Sequence, residues 1–466
     1  MPSHSCVATV LEQAEARPHA LALADASREL TYAELARAIL AQAGRLHAQG
    51  VAAGETIALD CGGPPESGIE QICTLYALGY LGATVLPLPP ALAPDRRERI
   101  VAALGARRLA EASAAAGGEA PRGDLAERLA VYRFSTGSTG EPKASITTHG
   151  QWTQQHAAAA RALDFGPEDR LLPAIPMPHP IGLRYLMRIH AAGGALVNVQ
   201  LPRELDALAA LVRRHAITRI AASPAQLRWL ASRPATAGFA MPPLAGIVTG
   251  GAPLTAEEQR AIREKLCPRL YLDYGAVEFS IIASLRPGEA PEDGMGIVEG
   301  VEARIVDERG QPVPAGGVGQ LRVRAAWAPA GYAGGLGSDQ YRDGWFDTGD
   351  LARLASPRRL VLAGRVDDVI NRSGIKIPPQ AIEAEIAKHP DVADVAVAGV
   401  PDRIAGEVPV AFVVLRREAA LQELPERFRA PLGLWAPEAY VAVNAIPRSP
   451  EGKVLRAQLR ALVKRG

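Results

Sequence analysis

Helix-like and strand-like stretches alternate through the first third of the chain, and this alternation restricts the fold more than any other feature. "RELTYAELARAILAQAGRLHAQG" (Arg28 to Gly50) opens with Thr31 and Glu34 in capping-box spacing. Leu35, Ile39, Ala43 and Leu46 follow a helical stripe, and Gly50 is placed to stop it. "ETIALDC" then reads as a strand, and "QICTLYALGYLGATVLPLPP" as a buried helix, a turn and a strand ended by prolines. Strands separated by helices pair in parallel, with both faces of the sheet covered. Residues 104–128 read as a helix and a surface loop, and "LAVYRF" as a further strand.

The pattern changes twice further on. "GVEARIVDERGQPVPAGGVGQLRVRA" reads as strand, turn and strand, with Gly316 and Gly317 at the hairpin, so antiparallel β-structure is expected from about residue 299. After "GRVDDVINRSG", the segments "PPQAIEAEIAKHP", "VADVAVAGVP" and "VPVAFVVL" read as helix, strand and strand. The expected fold is therefore α/β. A large N-terminal domain over 1–363 has mixed and parallel sheets covered by helices plus a β subdomain, and a small α+β domain occupies 364–466. A chain of 466 residues is too long for one hydrophobic core in any case.

Charge narrows the partners. Lys and Arg number 51 against 50 for Asp and Glu, and aromatics make up 5%. That balance disfavours a nucleic-acid or acidic-lipid surface, and the few aromatics disfavour base-stacking platforms. Cys6, Cys61, Cys73 and Cys267 show no metal-ligand spacing, so free thiols in a reducing compartment are expected. The N-terminus lacks a signal-peptide design, and no apolar run is long enough for a membrane span. A cytoplasmic protein follows.

The chemistry-bearing stretch is "YRFSTGSTGEPKAS", Tyr132 to Ser145. Small, hydroxyl-rich loops after a strand serve as plain turns or as phosphate cradles. A P-loop requires Lys directly after its last Gly, whereas Gly140 is followed by Glu141, Pro142 and Lys143. Gly137 and Gly140 also fail the dinucleotide fingerprint, and no G-x-S-x-G elbow is present.

The order "STGSTGEPK" resembles the phosphate loop of the adenylate-forming superfamily, which comprises acyl-CoA synthetases, adenylation domains and luciferases. Further motifs of that family follow in sequence: "IVTGGAPL" (Ile247 to Leu254), "DYGAVE" (Asp273 to Glu278), "DGWFDTGDLARL" (Asp343 to Leu354), "GRVDDVINRSGIKIPPQAIEAEI" (Gly364 to Ile386) and "IPRSPEGKVLR" (Ile446 to Arg456). The resemblance runs from about residue 8 to the end of the chain.

The resemblance implies an ATP-dependent acid–thiol ligase. Carboxylate and ATP give acyl-adenylate and pyrophosphate, and a thiol then displaces AMP. Two anions meet at the α-phosphate, so positive charge and hydrogen-bond donors are required. Ser135, Thr136, Gly137, Ser138, Thr139, Gly140 and Lys143 are implied over the β- and γ-phosphates. Gly250, Gly251 and Ala252 are implied beside base and acyl group. Tyr274 is implied on the adenine, with Asp273 or its backbone near the base's amino group and Gly275, Ala276 and Val277 completing the motif. Glu278 is implied as a Mg²⁺ ligand, and Asp350 and Arg365 at the ribose. Lys453 is implied as the catalytic cation bridging acyl carboxylate and α-phosphate. Asp367 matches the hinge of a mobile C-terminal domain, and Gly374 the small residue that lets pantetheine pass. Val277 stands where the family usually has Thr, Ser-Thr-Gly stands where Thr-Ser-Gly is commoner, and residues 89–130 are shorter than the family norm.

The acid pocket is expected near "LPAIPMPHPIGLRYL" (Leu172 to Leu186). Amino-acid-activating relatives place a carboxylate there, because an unpaired buried ammonium is costly. This stretch has none, which favours an aryl, alkyl or enoyl acid over an α-amino acid. His179 either sits beside the reacting carboxylate or caps a proline-rich turn. Pro180, Ile181, Val277 and Ile281 are expected to make the rest apolar. The acceptor is expected to be the pantetheine thiol of CoA or of an acyl carrier protein. The compact chain, with no fused carrier domain, suits a stand-alone loader. The alternatives are an amino-acid adenylation enzyme, an enzyme that stops at the adenylate or passes it to an amine, and a non-catalytic nucleotide-binding relative.

Overall fold

The computed structural model describes residues 5–60, 68–88, 93–109, 125, 127–136, 142–174, 180–329, 331–333, 340–448 and 453–463. The chain divides into two compact units. The first comprises residues 1–289, 297–302 and 324–344, and the second 290–296, 303–323 and 345–466. The expected boundary at 363/364 falls inside the second unit.

In the first unit the expected alternation builds two sheets. One orders its strands Ala283–Leu285, Leu270–Tyr274, Gly246–Gly250, Arg219–Ala221, Arg170–Pro173, Ala195–Val197, Leu21–Ala24 and Glu29–Thr31. Its central pairings are parallel and only the outermost pair at each end is antiparallel. The other orders Arg107–Arg108, Thr56–Asp60, Thr84–Leu88, Leu129–Thr136 and Pro142–Thr148. Its last pair is antiparallel, which the sequence did not announce.

Local signals account for the helices. Thr31 caps the helix Tyr32–Ala48 with Glu34 completing the capping box, and Leu35, Ile39, Ala43 and Leu46 are all buried. Capping boxes at Thr148, Ser223 and Thr255 start three more helices. The helix Gly68–Leu81 is apolar around most of its circumference and is correspondingly buried. A further helix, Pro94–Ala103, precedes the stretch 104–128, and Pro94 supplies a pre-set φ at its first turn. Residues 110–124 are outside the described part. Leu172, Val197, Leu208, Ile220, Leu227, Ile247, Ile262 and Leu270 join strands and helices into one core.

In the second unit, Gly319–Ala325, Trp345–Ser356, Arg359–Arg365 and Met295–Ile297 pair antiparallel in that order, as the change of pattern near 299 foretold. A separate sheet orders Ile375–Ile377, Ile370–Arg372, Gly406–Leu415 and Val392–Asp402, with Ala439–Ala442 beside Gly406–Leu415. The helix Pro379–Ile386 packs Ile382 and Ile386 into its core with Val397, Val413 and Phe428. Among the described residues, no helix is long and apolar enough to cross a membrane.

Three imidazoles are sealed in the first unit. His190 accepts from the Tyr76 hydroxyl at Nδ1 (2.7 Å) and its Nε2–H donates to Ala22 O (2.9 Å), so it is held neutral. Burial brings His190 and His149 down to about 4 and His156 well below its ordinary value. The unfolded chain takes up these protons near pH 6.5, whereas the native one does not. Stability is therefore complete above about pH 6.5 and falls as pH drops through the window towards about 4. We expect urea unfolding at pH 5 to show a loss of about 2 kcal/mol per sealed imidazole relative to pH 7. An unchanged midpoint would mean that these rings are protonated in the native state.

Candidate functional site

The strands Gly246–Gly250 and Leu270–Tyr274 are parallel neighbours, and Gly250 is in register with Asp273. A side chain at Gly250 would land inside the Asp273 carboxylate, so only glycine fits. Gly251 follows with φ +90°, a conformation that favours glycine, and Ala252 is half-buried. A side chain at Gly275 would meet Ser280 O at 2.5 Å. The two expected nucleotide motifs thus leave their strands side by side at the carboxyl ends of a parallel sheet, where α/β folds bind ligands. Tyr274 and Ala276 are half-buried, and Gly275 and Val277 are exposed.

Asp273 is fixed from the side. Arg188 reaches it from the helix Pro180–Ala191, which begins inside the stretch expected to frame the acid. Arg188 Nη1 donates to Asp273 Oδ2 at 2.7 Å, with side-chain exposures of 0% and 4%. Arg188 Nη2 donates to the carbonyl of Ser280 (3.0 Å) and lies 3.2 Å from its hydroxyl, holding a residue whose φ is +63°. Asp273 Oδ2 is therefore committed to Arg188.

Glu278 is buried, and its Oε1 accepts the Tyr332 hydroxyl proton at 2.7 Å. The Tyr332 hydroxyl also lies 2.9 Å from Gln340 Oε1, to which Lys143 donates at 3.2 Å. This chain joins Lys143 to Glu278 through described residues. The Glu278 carbonyl accepts from Arg133 (3.0 Å) and from Gln155 (3.1 Å). Burial pulls the Arg133 guanidinium down to about 10, and the Glu278 charge opposes that shift. Ser135 and Thr136 end the strand Leu129–Thr136, and Thr136 is in register with Pro142 across the hairpin. Gly137, Ser138, Thr139 and Gly140 lie outside the described residues, as do His179 and Cys61. Pro180 and Ile181 begin the helix Pro180–Ala191, and Ile281 is fully buried.

Sequence reasoning missed Arg133, Gln155, Arg188 and Tyr332. Two signals were present. "LRYLMRIH" puts charges four residues apart on an otherwise apolar helix, and "LYLDY" puts Asp273 at an inward strand position. Each demands a partner, and they are each other's.

In the second unit the ladder between Trp345–Ser356 and Arg359–Arg365 sets Asp350 opposite Arg365. Arg365 Nη1 donates to Asp350 Oδ1 (3.1 Å) and to Thr348 O (3.2 Å), and it packs against Gly349, whose φ is +69°. A carboxylate beside a guanidinium offers both acceptor and donor to a diol. Asp367 is exposed in the turn Val366–Asp368. Arg456 Nη1 lies 3.1 Å from Asp368 Oδ2, while its Nη2 donates to Glu383 Oε1 at 2.6 Å. Burial pushes the Glu383 carboxyl up, and the Arg456 charge opposes that. Ser373 and Gly374, with φ +50° and +87°, turn the tight hairpin between Ile370–Arg372 and Ile375–Ile377. Lys453 is exposed three residues before Arg456. No group of three or more His, Cys, Asp and Glu suited to a metal ion occurs among the described residues. A Mg²⁺ ion here would rely on Glu278 together with phosphate and water oxygens, a pattern that ion accepts.

The chain matches the AMP-binding enzyme family over residues 10–121 and 110–333, and the AMP-binding enzyme C-terminal domain over 381–453. It belongs to this family, the adenylate-forming superfamily. Among individual relatives it is 29% identical over 493 residues to a feruloyl-CoA synthase of Amycolatopsis sp, covering 97% of each chain. It is 31% identical over 348 residues to triostin synthetase I of Streptomyces triostinicus, covering 72% of this chain and 65% of that protein. The structure resembles the amide bond synthetase McbA of Marinactinospora thermotolerans with a TM-score of 0.85, 25% identity and coverage of 98% and 99%.

Removing Arg188 tests the frame of the site. Arg188→Met leaves the Asp273 carboxylate buried without a partner, and we expect it to cost about 3–5 kcal/mol in urea unfolding. A loss under about 1 kcal/mol would mean that the pair is not part of the frame.

Proposed function

We propose that this protein activates a carboxylic acid with ATP as an acyl-adenylate and transfers the acyl group to a pantetheine thiol. It is an AMP-forming acid–thiol ligase. The observation that carries this reading is the side-by-side exit of Gly250–Gly251 and Asp273–Tyr274 from adjacent parallel strands. These glycines admit a nucleotide against bare backbone. Membership of the AMP-binding enzyme family and the likeness to a feruloyl-CoA synthase support the same reading. The acid is an aryl, alkyl or enoyl acid and the thiol belongs to CoA or an acyl carrier protein. The unpaired thiols of Cys6, Cys73 and Cys267 suit a reducing cytoplasm.

The residues divide the work. Glycines 250 and 251 and Tyr274 bind the base, and Asp350 and Arg365 hold the ribose hydroxyls. Ser135 to Gly140 and Lys143 hold the terminal phosphates, with Lys143 kept in place by Gln340. Glu278 would hold Mg²⁺, which when bound neutralises phosphate charge. His179 is assigned to binding the acid. Lys453 supplies positive charge where carboxylate and α-phosphate approach, and Gly374 keeps the pantetheine path open. The domain boundary relevant to catalysis is at 363/364, with Asp367 as hinge. A second reading, transfer of the acyl group to an amine, is favoured by the likeness to an amide bond synthetase.

Acid-dependent exchange of pyrophosphate into ATP, measured over a broad acid panel, tests activation. Adding CoA, holo carrier protein or amines then identifies the acceptor. Lys453→Ala is expected to lower exchange by about 10²–10³, while transfer from supplied acyl-adenylate persists. Gly374→Leu is expected to keep exchange and lose thioester formation. If both folded variants fail in the same half-reaction, the division between Lys453 and Gly374 is wrong.

A further inference from the structure

Tyr332 is firmly held. Its backbone forms an antiparallel bridge with Ser145, and the carbonyl of Gly331 accepts from Ile146 N at 3.1 Å. It is thereby fastened to the strand Pro142–Thr148, which carries Lys143. Gln155, with no exposure to solvent, directs its amide nitrogen at Trp327 O (2.9 Å) and at Glu278 O (3.1 Å). The segment leading to Tyr332 and the residue that Tyr332 meets are thus pinned by the same side chain. The Tyr332 ring packs edge-on against Tyr341, with ring centres 6.0 Å apart.

The hydroxyl of this fixed ring has a single proton and a choice of acceptors. Glu278 Oε1 lies at 2.7 Å and Gln340 Oε1 at 2.9 Å, and the Lys143 ammonium donates to the same Gln340 oxygen at 3.2 Å. A carboxylate offers about four lone-pair sites, and Tyr332 takes one of them. Arg133 and Gln155 turn to the Glu278 carbonyl rather than to its carboxylate, so neither occupies the remaining sites. While the carboxylate keeps its full charge it is the stronger acceptor, and it holds the tyrosine proton. A cation on Glu278 weakens that acceptor and lets the proton turn to Gln340 Oε1. A second donor on that oxygen loosens its hold on Lys143, whose ammonium is then freer to meet a phosphate. What happens at the carboxylate is felt at the ammonium, through one hydroxyl and one amide.

We propose that Tyr332 is a positioning residue that couples Glu278 to Lys143, so that Mg²⁺ and the ATP triphosphate bind cooperatively. This rests on the reading above, which assigns Glu278 to the cation and Lys143 to the terminal phosphates, and it deepens that reading by linking the two.

The test is equilibrium binding without acid and without turnover. The Kd of ATP is measured by calorimetry in Mg²⁺ and again in EDTA, and the Kd of AMP, which lacks the terminal phosphates, is measured beside them. In the unaltered protein we expect Mg²⁺ to tighten ATP and to leave AMP unchanged. Tyr332→Phe keeps the ring and removes only the hydroxyl. We expect it to shrink the Mg²⁺ effect on ATP by about tenfold, with AMP affinity kept. Gln340→Met cuts the same link at its other end, on a half-buried residue, and carries the test alone if Tyr332→Phe does not fold. The two replacements together should do no more than either alone, because they interrupt one path. A merely structural role would move ATP and AMP together. An unchanged Mg²⁺ effect in both variants would overturn the proposal, and so would a loss of AMP affinity equal to that of ATP. An unaltered protein that binds neither nucleotide would overturn the activation reading itself, and the coupling with it.

Discussion

Arg188 has no exposure to solvent, and it ties the strand Leu270–Tyr274 to the return at Ser280. A buried guanidinium is costly unless its charge is paired and most of its donors are answered, and of the Arg188 donors Nε alone is left without a partner. Arg188 meets Asp273 and both oxygens of Ser280, and in doing so it fixes two ends of one turn. The strand Leu270–Tyr274 is held at its last inward residue. The return at Ser280 is held in a conformation that a serine adopts at a cost. The backbone between them is the "DYGAVE" stretch. Its side chains therefore present themselves from a loop whose ends cannot drift, which is how a site keeps its shape before any ligand arrives.

Space is set by absence of side chains. Gly250 lies under the Asp273 carboxylate and Gly275 under the Ser280 carbonyl, and neither admits a methyl group. In the second unit the same logic brings Arg365 against Gly349. Glycines in these motifs are places where backbone and a charged partner approach closely, rather than points of looseness.

Much of this was legible in the chain. The capping box at Thr31, the stripe Leu35–Ile39–Ala43–Leu46 and the strand around Thr56 are local, and local chemistry decides them. The antiparallel ladder after residue 299 followed from a visible change of pattern, and that ladder sets Asp350 and Arg365 face to face. What escaped were long-range pairings. Nothing local says that Arg188 answers Asp273, that Tyr332 answers Glu278, or that the strand Leu129–Thr136 turns back on Pro142–Thr148. A buried charge in a sequence shows that a partner exists, but only the fold says which residue it is.

The contacts of Arg456 have a mechanical consequence. That guanidinium binds Glu383 on one side and Asp368 on the other, and its Nε donates to Val397 O at 3.0 Å. Helix, strand and turn are thereby locked to the segment that carries Lys453. Upstream, Arg365 is anchored by Asp350 and Thr348. Between these two clamps lie Val366 and Asp367, and the Asp367 carboxylate is itself 3.9 Å from Arg365 Nη2. The turn Val366–Asp368 is thereby held at both ends, by the Asp350–Arg365 pair and by the Arg456–Asp368 pair, so a change in its shape strains one ion pair or the other.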